Sequence, residues 1–326
     1  MVLATLLLVP GLVAIVVSFV VFALFRRGLL VPNSSSRMFQ QERPSFTAEL
    51  VCIFRAIGTS LNWCDDPFAF EFCELDAKIV CSAWIHLRKL LGSTVPLYNV
   101  PYMCTRTIFL DRFVLEVPVQ QVVILGAGLD SRPYRLRESG DSRTKYFEVD
   151  APATQKQKKA KVANLFSKQP KLFTSPAYSE GRVIYVSCNF ATESFLDKLV
   201  ENGFDPKNSN TVILLEGVAS YLTWPELKQT LSFVAQCAAG TRFVLNCLEG
   251  SMRKSSTSKL LKSFVGEEWK FSLAADETGA SRFGPVGFDI IREINFDQAQ
   301  AELPVLRELP RSRLESRMVF MKVADK

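Results

Sequence analysis

Histidine is nearly absent from this chain, whose 326 residues include only one, His86. It lies in AWIHLRKL, where the apolar residues have helical spacing. One histidine without cysteine or carboxylate neighbours at ligand spacing argues against a zinc site, and we predict no metal ligand in the chain. The shortage also removes the commonest general base, which excludes Ser-His-Asp and Cys-His mechanisms.

Closely spaced cysteine pairs are also absent, because none of the eight cysteines belongs to a CxxC motif. The cysteines are Cys52, Cys64, Cys73, Cys81, Cys104, Cys188, Cys237 and Cys247. Several of them fall inside apolar runs. We therefore expect reduced, buried thiols of a cytosolic protein.

Charge is missing from the first 25 residues, Met1–Phe25. A helix of that length would cross a hydrocarbon layer of ~30 Å. The alternative, a signal peptide, needs a positive n-region and a small-x-small cleavage site, and neither is evident. Arg26 and Arg27 follow the run and would keep the rest of the chain in the cytoplasm. We predict a single-pass anchor over 1–27 that contacts the bilayer through residues 2–25.

A linker at 28–44 is predicted after the anchor, because Pro32–Pro44 (PNSSSRMFQQERP) is polar, rich in serine and bounded by prolines. No internal repeat or second low-complexity break follows, which predicts one domain over 45–326. Residues 45–115 are predicted to be mostly helical and to form a cap over one edge of the site. Residues 116–326 are predicted to form the cofactor-binding core.

The net charge of +6 is modest, and its densest patch is the run from Lys156 to Lys161. Without interleaved aromatic residues, such a run is typical of a solvated helix face. We therefore expect no nucleic-acid partner, and an electrostatic contact with a bilayer is the next interpretation.

Short β-branched runs alternate with helical stretches after residue 115. The predicted strands are Val119–Leu125, Thr144–Val149, Arg182–Ser187, Thr211–Leu215, Arg242–Cys247 and Arg317–Val323. A helix is predicted over Thr192–Glu201, and another begins at the capping box Thr-Trp-Pro-Glu from Thr223. This alternation predicts an α/β fold with a doubly wound, mostly parallel sheet, whose ligands bind beyond the carboxyl ends of the strands.

The first strand leads directly into Gly126-Ala-Gly128. Glycines in this βα turn let the chain turn sharply and the backbone approach a ligand. A dinucleotide fingerprint would place a third glycine at the position of Ser131, so a pyrophosphate is not clearly accommodated. An ordinary tight turn is the alternative interpretation.

Polar side chains follow the next three strands. Asp150 ends the second strand, where a carboxylate grips a ribose diol. Asn189 and Phe190 follow the third and could contact an adenine edge and face. Glu216 follows the fourth, has no basic neighbour in sequence, and could face a cationic group. An adenosine ligand with a cationic portion and no diphosphate is S-adenosylmethionine.

The segments GAGLDSRPYRL, YFEVDAP and LLEGVASYL, in this order and at these spacings, resemble the leucine carboxyl methyltransferase family. The resemblance runs from about residue 45 to the end and implies a Rossmann-like class I methyltransferase that uses S-adenosylmethionine. The family includes the enzyme that methyl-esterifies the C-terminal leucine of a protein phosphatase catalytic subunit. The acceptor implied here is a carboxylate on a protein or small molecule.

The resemblance also implies roles for individual residues. Gly126 and Gly128 would lie against the cofactor, Asp150 would bind its ribose, and Glu216 would face its amino group. Asn189 and Phe190 would flank the adenine, although the family usually has aspartate where this chain has Asn189.

Arg106, in CTRT, matches a family arginine that pairs with the cofactor's carboxylate. Arg55 falls where the family has a second basic residue for the same group. Tyr221, in ASYL, would lie near the entrance for the acceptor and help to position it.

A carboxylate acceptor has a pKa of about 4 and is ionised near neutral pH, so methyl transfer to it needs no general base. Arg132 or Arg135 could attract it at the mouth of the site. Two alternatives stay open: an NAD-linked oxidoreductase, and a degenerate protein that binds cofactor without turnover.

Overall fold

The fold is described from a computed structural model of the chain. The described residues are 46–92, 97, 99–137, 143–188, 193–255, 258–259, 268–312 and 314–325. The predicted anchor at 1–27, the linker at 28–44, and Asn189 and Phe190 lie outside these residues. Within them, no helix has the length and apolarity that a membrane span requires.

An eight-stranded sheet organises the described residues. Its strands are β1 Gln121–Leu125, β2 Lys145–Asp150, β3 Val183–Ser187, β4 Thr211–Leu215, β5 Arg242–Glu249, β6 Ser272–Leu273, β7 Phe288–Asn295 and β8 Ser316–Val323. The spatial order is β3-β2-β1-β4-β5-β8-β7, with β6 pairing β5. β1 to β6 pair in parallel, and β8 runs antiparallel to both β5 and β7. The predicted α/β fold with a mostly parallel sheet is confirmed.

Helices precede the sheet and alternate with its strands. They are α1 Phe46–Ser60, α2 Pro67–Phe72, α3 Leu75–Leu91, α4 Asn99–Leu115, α5 Arg132–Arg135, α6 Pro152–Lys168, α7 Phe195–Glu201, α8 Trp224–Val234, α9 Gly279–Phe283 and α10 Phe296–Ala301. α1 packs against α2, α3 and α4. α8 begins at the predicted capping box, in which Thr223 and Glu226 satisfy each other's backbone N–H groups.

Both faces of the central strands are buried, which is why their sequences are continuously apolar rather than alternating. In β1, Val122 and Ile124 face a core shared with the first four helices. Val123 and Leu125 face a second core on the other side of the sheet. β1 is thereby held rigidly, and its carboxyl end carries the glycine turn.

β7 has no counterpart among the predicted strands. Its sequence, FDIIREIN, carries three charged residues because it forms an edge of the sheet and pairs only with β8 among the described strands. Edge strands tolerate charged, exposed side chains, which conceals the apolar pattern that sequence reasoning depends on.

Candidate active site

The glycine turn lies directly beyond β1 and requires glycine at two positions. Gly126 and Gly128 have φ angles of +69° and +43°, in the left-handed region that L side chains rarely adopt. A Cβ on Gly126 would lie 2.4 Å from Cγ2 of Val218, in the segment after β4. The turn therefore brings bare backbone close to the end of the neighbouring strand.

Asp150 ends β2, the strand beside β1, and faces this turn. The backbone N–H of Gly128 donates to its Oδ2 at 2.5 Å, and the N–H of Ala151 donates to its Oδ1 at 2.7 Å. Burial raises the pKa of Asp150, although both hydrogen bonds oppose the shift. Each carboxylate oxygen keeps a lone pair that could accept a hydroxyl hydrogen bond.

Glu216, directly after β4, contacts two arginines that are distant in sequence. Nε of Arg106 donates to Oε1 at 2.6 Å, and Nη1 of Arg132 donates to Oε2 at 2.7 Å. Burial alone would raise the pKa of Glu216, but Arg132 and Arg106 hold it well below its usual range. Glu216 thus faces cationic groups, as predicted, and these groups are the guanidinium groups of Arg106 and Arg132.

Arg55, on α1, is buried and held by an ion pair and a hydrogen bond within the protein. Its Nη1 lies 3.1 Å from Oδ2 of Asp66, and its Nη2 donates to the carbonyl of Leu129 at 2.9 Å. Nε of Arg55 is buried without a hydrogen-bond partner among the described residues. One N–H of this guanidinium is therefore not satisfied by the described residues.

The prediction that Arg132 or Arg135 attracts the acceptor near the mouth of the site is wrong, because both side chains are buried. The Arg132 side chain is 0% exposed and pairs with Asp111, Asp130 and Glu216. Arg135 is also buried, with Nη1 2.7 Å from Oδ2 of Asp111. Placed just after the glycine turn, both side chains point inward because buried carboxylates neutralise them.

Ser131 occupies the third-glycine position of the dinucleotide pattern. It is fully buried, and its Oγ donates to Oδ1 of Asp66 at 2.7 Å. A serine here joins the turn to the Arg55–Asp66 pair instead of allowing the close helix packing that a third glycine permits.

Tyr221 lies five residues beyond Glu216. The intervening Gly217 donates its backbone N–H to Oδ1 of Asn246, on β5, at 2.7 Å. Tyr221 is half-buried and packs against an apolar cluster of Leu248, Met252 and Trp269. Its position near the entrance for an acceptor stays a prediction.

The structure brings together five of the predicted positions at the carboxyl ends of β1, β2 and β4, which are neighbours in the sheet. These are Arg106, Gly126, Gly128, Asp150 and Glu216. The positive charge of Arg55 also acts on this group of residues, because it helps to lower the pKa of Glu216.

Sequence reasoning missed two carboxylates and an amide that hold the neighbours of Glu216. Asp111 and Asp130 accept hydrogen bonds from Arg132, which pairs with Glu216, and Asn246 accepts one from the N–H of Gly217. Asp130 adjoins the glycine turn and could have been suspected from its place. Nothing in the local sequence of Asp111 or Asn246 indicates a role.

This sheet order and the glycine turn after β1 define a Rossmann-like α/β fold, a class in which ligands bind beyond the carboxyl ends of the strands. The model of the leucine carboxyl methyltransferase family matches residues 48–235, more than half of the chain. The chain belongs to this family. The predicted membership of this family is confirmed, and the names of similar proteins support the predicted class of S-adenosylmethionine-dependent methyltransferases and its cofactor.

Similar proteins carry the same class in their names. A protein of Parafrankia sp. (strain EAN1pec), named for an inferred S-adenosyl-L-methionine-dependent methyltransferase activity, is 33% identical over 49% of this chain and 48% of its own length. A protein of Mycobacterium sp. (strain KMS), named in the same way, is 29% identical over 69% of this chain and 72% of its own. The chain thus spans about half the length of the first of these relatives.

Among solved structures, the glycopeptide N-methyltransferase MtfA complexed with sinefungin covers 68% of this chain and 87% of its own. Its identity is 13% and its TM-score is 0.41.

Proposed function

We propose that this chain transfers a methyl group from S-adenosylmethionine to a carboxylate oxygen of a protein or small molecule. The observation that carries the proposal is the buried Arg106–Glu216 pair, 2.6 Å long, beside the glycine turn and Asp150. A guanidinium and a carboxylate held side by side match the two charges of an α-amino acid group. Glu216 would hold the ammonium and Arg106 the carboxylate.

The other residues fit the rest of this cofactor. The carboxylate of Asp150 would accept hydrogen bonds from the ribose hydroxyls, and the bare backbone at Gly126 would lie against the methionyl part. Nε of Arg55 and Nη2 of Arg132 are buried without hydrogen-bond partners among the described residues. Such groups are costly unless a ligand satisfies them, which supports a site for a polar, anionic group. Asn189 and Phe190 are expected to flank the adenine.

S-adenosylmethionine, when bound, supplies a methyl group already activated by its sulfonium. The chain then has to hold the acceptor in line, ~3 Å away, and exclude water. An ionised carboxylate needs no proton removed. This suits a chain whose only histidine, His86, is exposed on α3 with Nδ1 2.7 Å from the carbonyl of Ser82.

The family's name supports carboxyl methylation, and the acceptor itself is part of the proposal. Tyr221 would position it on the side of the apolar cluster formed by Leu248, Met252 and Trp269. If residues 1–27 anchor the chain, the acceptor would be one that reaches a membrane surface from the cytoplasm.

A base-lability assay tests this proposal. The full chain would be incubated with a cell extract and S-adenosylmethionine carrying a tritiated methyl group. Carboxyl methyl esters release volatile methanol in mild alkali, whereas methylated amines and alcohols do not. We expect volatile label with wild type and none with Glu216→Gln. Stable label would overturn the carboxylate acceptor, and tight cofactor binding without any label would identify a degenerate binding protein.

A further inference from the structure

Two cysteine sulfur atoms meet at Gly58, in α1. A Cβ on Gly58 would lie 2.2 Å from Sγ of Cys104, on α4, and 3.2 Å from Sγ of Cys64. Glycine inside a helix costs about 1 kcal/mol relative to alanine, so its presence here has a packing reason. The sulfur of Cys104 occupies the space that a side chain would fill, and Cys64 adjoins it. Both sulfur atoms therefore adjoin the same point of α1, and the two thiols are neighbours.

Cys64 is the more exposed of the pair. All eight cysteines are described, and Cys64 alone is not fully buried. Its sulfur lies 3.6 Å from Oγ1 of Thr59 and 3.7 Å from the carbonyl oxygen of Arg55. Hydrogen bonds from Cys104 and then Thr59 lower the pKa of the Cys64 thiol, although burial opposes them. A partly exposed thiol with a lowered pKa is the type that oxidants attack first.

Cys104 is the less accessible of the pair. Its side chain is buried, and burial raises the pKa of its thiol well above the ordinary value. It is therefore shielded from dissolved oxidant but adjoins the sulfur of Cys64 at Gly58. A sulfur that the solvent does not reach can still react with an oxidised neighbour.

We propose that Cys64 and Cys104 are a peroxide-sensitive pair that forms a reversible disulfide. The Cys64 thiolate attacks one oxygen of hydrogen peroxide, the O–O bond breaks, and Cys64 becomes a sulfenic acid while hydroxide leaves and is protonated. The Cys104 sulfur then attacks the Cys64 sulfur, the S–O bond breaks, and the departing hydroxide takes the Cys104 proton. Two thiols lose two electrons, and one peroxide becomes two waters.

The bond would act on the candidate active site through α1 and α4. A disulfide holds sulfur atoms ~2.05 Å apart, closer than two thiols that are not bonded to each other, so its formation draws the two segments together. Cys104 lies two residues before Arg106, and Cys64 contacts the carbonyl of Arg55. The Arg106–Glu216 hydrogen bond tolerates little displacement. We expect oxidation to weaken cofactor binding about tenfold, a consequence that rests on the proposed function.

The test uses the purified full chain, reduced and then treated with hydrogen peroxide. Peptides digested without reductant are mapped by mass spectrometry. We expect one linked pair containing Cys64 and Cys104, two hydrogens lighter than the separate peptides, which dithiothreitol reverses. Cys64→Ser should abolish it, whereas the matched control Cys81→Ser, at a buried thiol on α3, should leave it intact. Irreversible oxidation of Cys64, a different pair or no reaction would overturn the proposal.

A second measurement separates this inference from the proposed function. Calorimetric titration with S-adenosylhomocysteine compares the reduced and oxidised wild-type chain. A linked peptide with unchanged affinity would overturn the coupling to the active site. Failure of the reduced chain to bind would overturn the proposed function, and peptide mapping would still decide whether the disulfide forms.

Discussion

Replacing Gly126 by alanine gives a prediction whose size follows from the structure. An alanine at φ +69° incurs the left-handed penalty, roughly 1–2 kcal/mol. Its Cβ would also lie 2.4 Å from Cγ2 of Val218, an overlap that costs roughly 1–3 kcal/mol in a packed site. We expect Gly126→Ala to lower the free energy of unfolding by about 2–5 kcal/mol.

Gly128 supplies a matched control, because it shares the positive φ without the overlap. A Cβ there would first meet Cβ of Ala48, at an ordinary 3.6 Å. Gly128→Ala should therefore cost only the conformational term, roughly 1–2 kcal/mol. Urea unfolding under reducing conditions measures both values, provided that the slope with denaturant is unchanged.

A double-mutant cycle isolates the free-energy cost of the steric overlap between a Cβ at position 126 and Val218. Val218→Ala removes Cγ2 and leaves Cβ of Val218 at 3.7 Å, so a Gly126 Cβ would then fit. The double variant should recover roughly 1–3 kcal/mol relative to the sum of the single effects. Equal effects of Gly126→Ala and Gly128→Ala, or an additive cycle, would refute the close approach of the turn to β4's end.

Three further predictions concern individual charges and the tyrosine. Glu216→Gln leaves Arg106 and Arg132 with a neutral partner, so urea unfolding should show a free energy of unfolding lower by about 3–5 kcal/mol. The control is Glu302→Gln, at an exposed carboxyl paired with Arg292, which should change the free energy of unfolding by less than about 0.5 kcal/mol. Burial raises the pKa of Glu148 to about 7, although the ammonium of Lys158 opposes the shift, so the folded chain retains a proton that the unfolded chain releases near pH 4.5. As the pH rises from 5 to 7.5, the free energy of unfolding of wild type should therefore fall relative to that of Glu148→Gln, and a difference that stays constant with pH would contradict this. Tyr221→Phe should bind S-adenosylhomocysteine within about twofold of wild type and lower the rate of methyl transfer, whereas equal losses in both would show that Tyr221 serves the cofactor.

Much of the sheet is readable from sequence because the central strands are buried on both faces. Thr211–Leu215 has the predicted bounds, since five consecutive apolar or β-branched residues leave little ambiguity. β7 is not predicted from the sequence, because the charged residues of this exposed edge strand conceal its apolar pattern. The glycine turn and Asp150 are recognisable because both adjoin the ends of apolar strands.

The partners of Glu216 lie beyond sequence reasoning. Arg106 and Arg132 are 110 and 84 residues away, so the absence of a basic neighbour in sequence says nothing about the neighbours in space. The same cause explains the error at Arg132 and Arg135. A charged residue is ordinarily expected at the surface, and only the fold reveals that Asp111 pairs with both arginines.

Ligand-dependent stability of the full chain tests the central claim most directly. Thermal unfolding would be followed with S-adenosylmethionine, S-adenosylhomocysteine and NAD in parallel, for wild type, Asp150→Ala and the exposed control Asp289→Ala. A ligand at 100 times its dissociation constant adds roughly 2.7 kcal/mol of stability. We predict that both S-adenosyl ligands stabilise wild type and Asp289→Ala, that NAD does not, and that Asp150→Ala loses the effect. Stabilisation by NAD alone, or by S-adenosyl ligands regardless of Asp150, would contradict the site proposed at the ends of β1, β2 and β4.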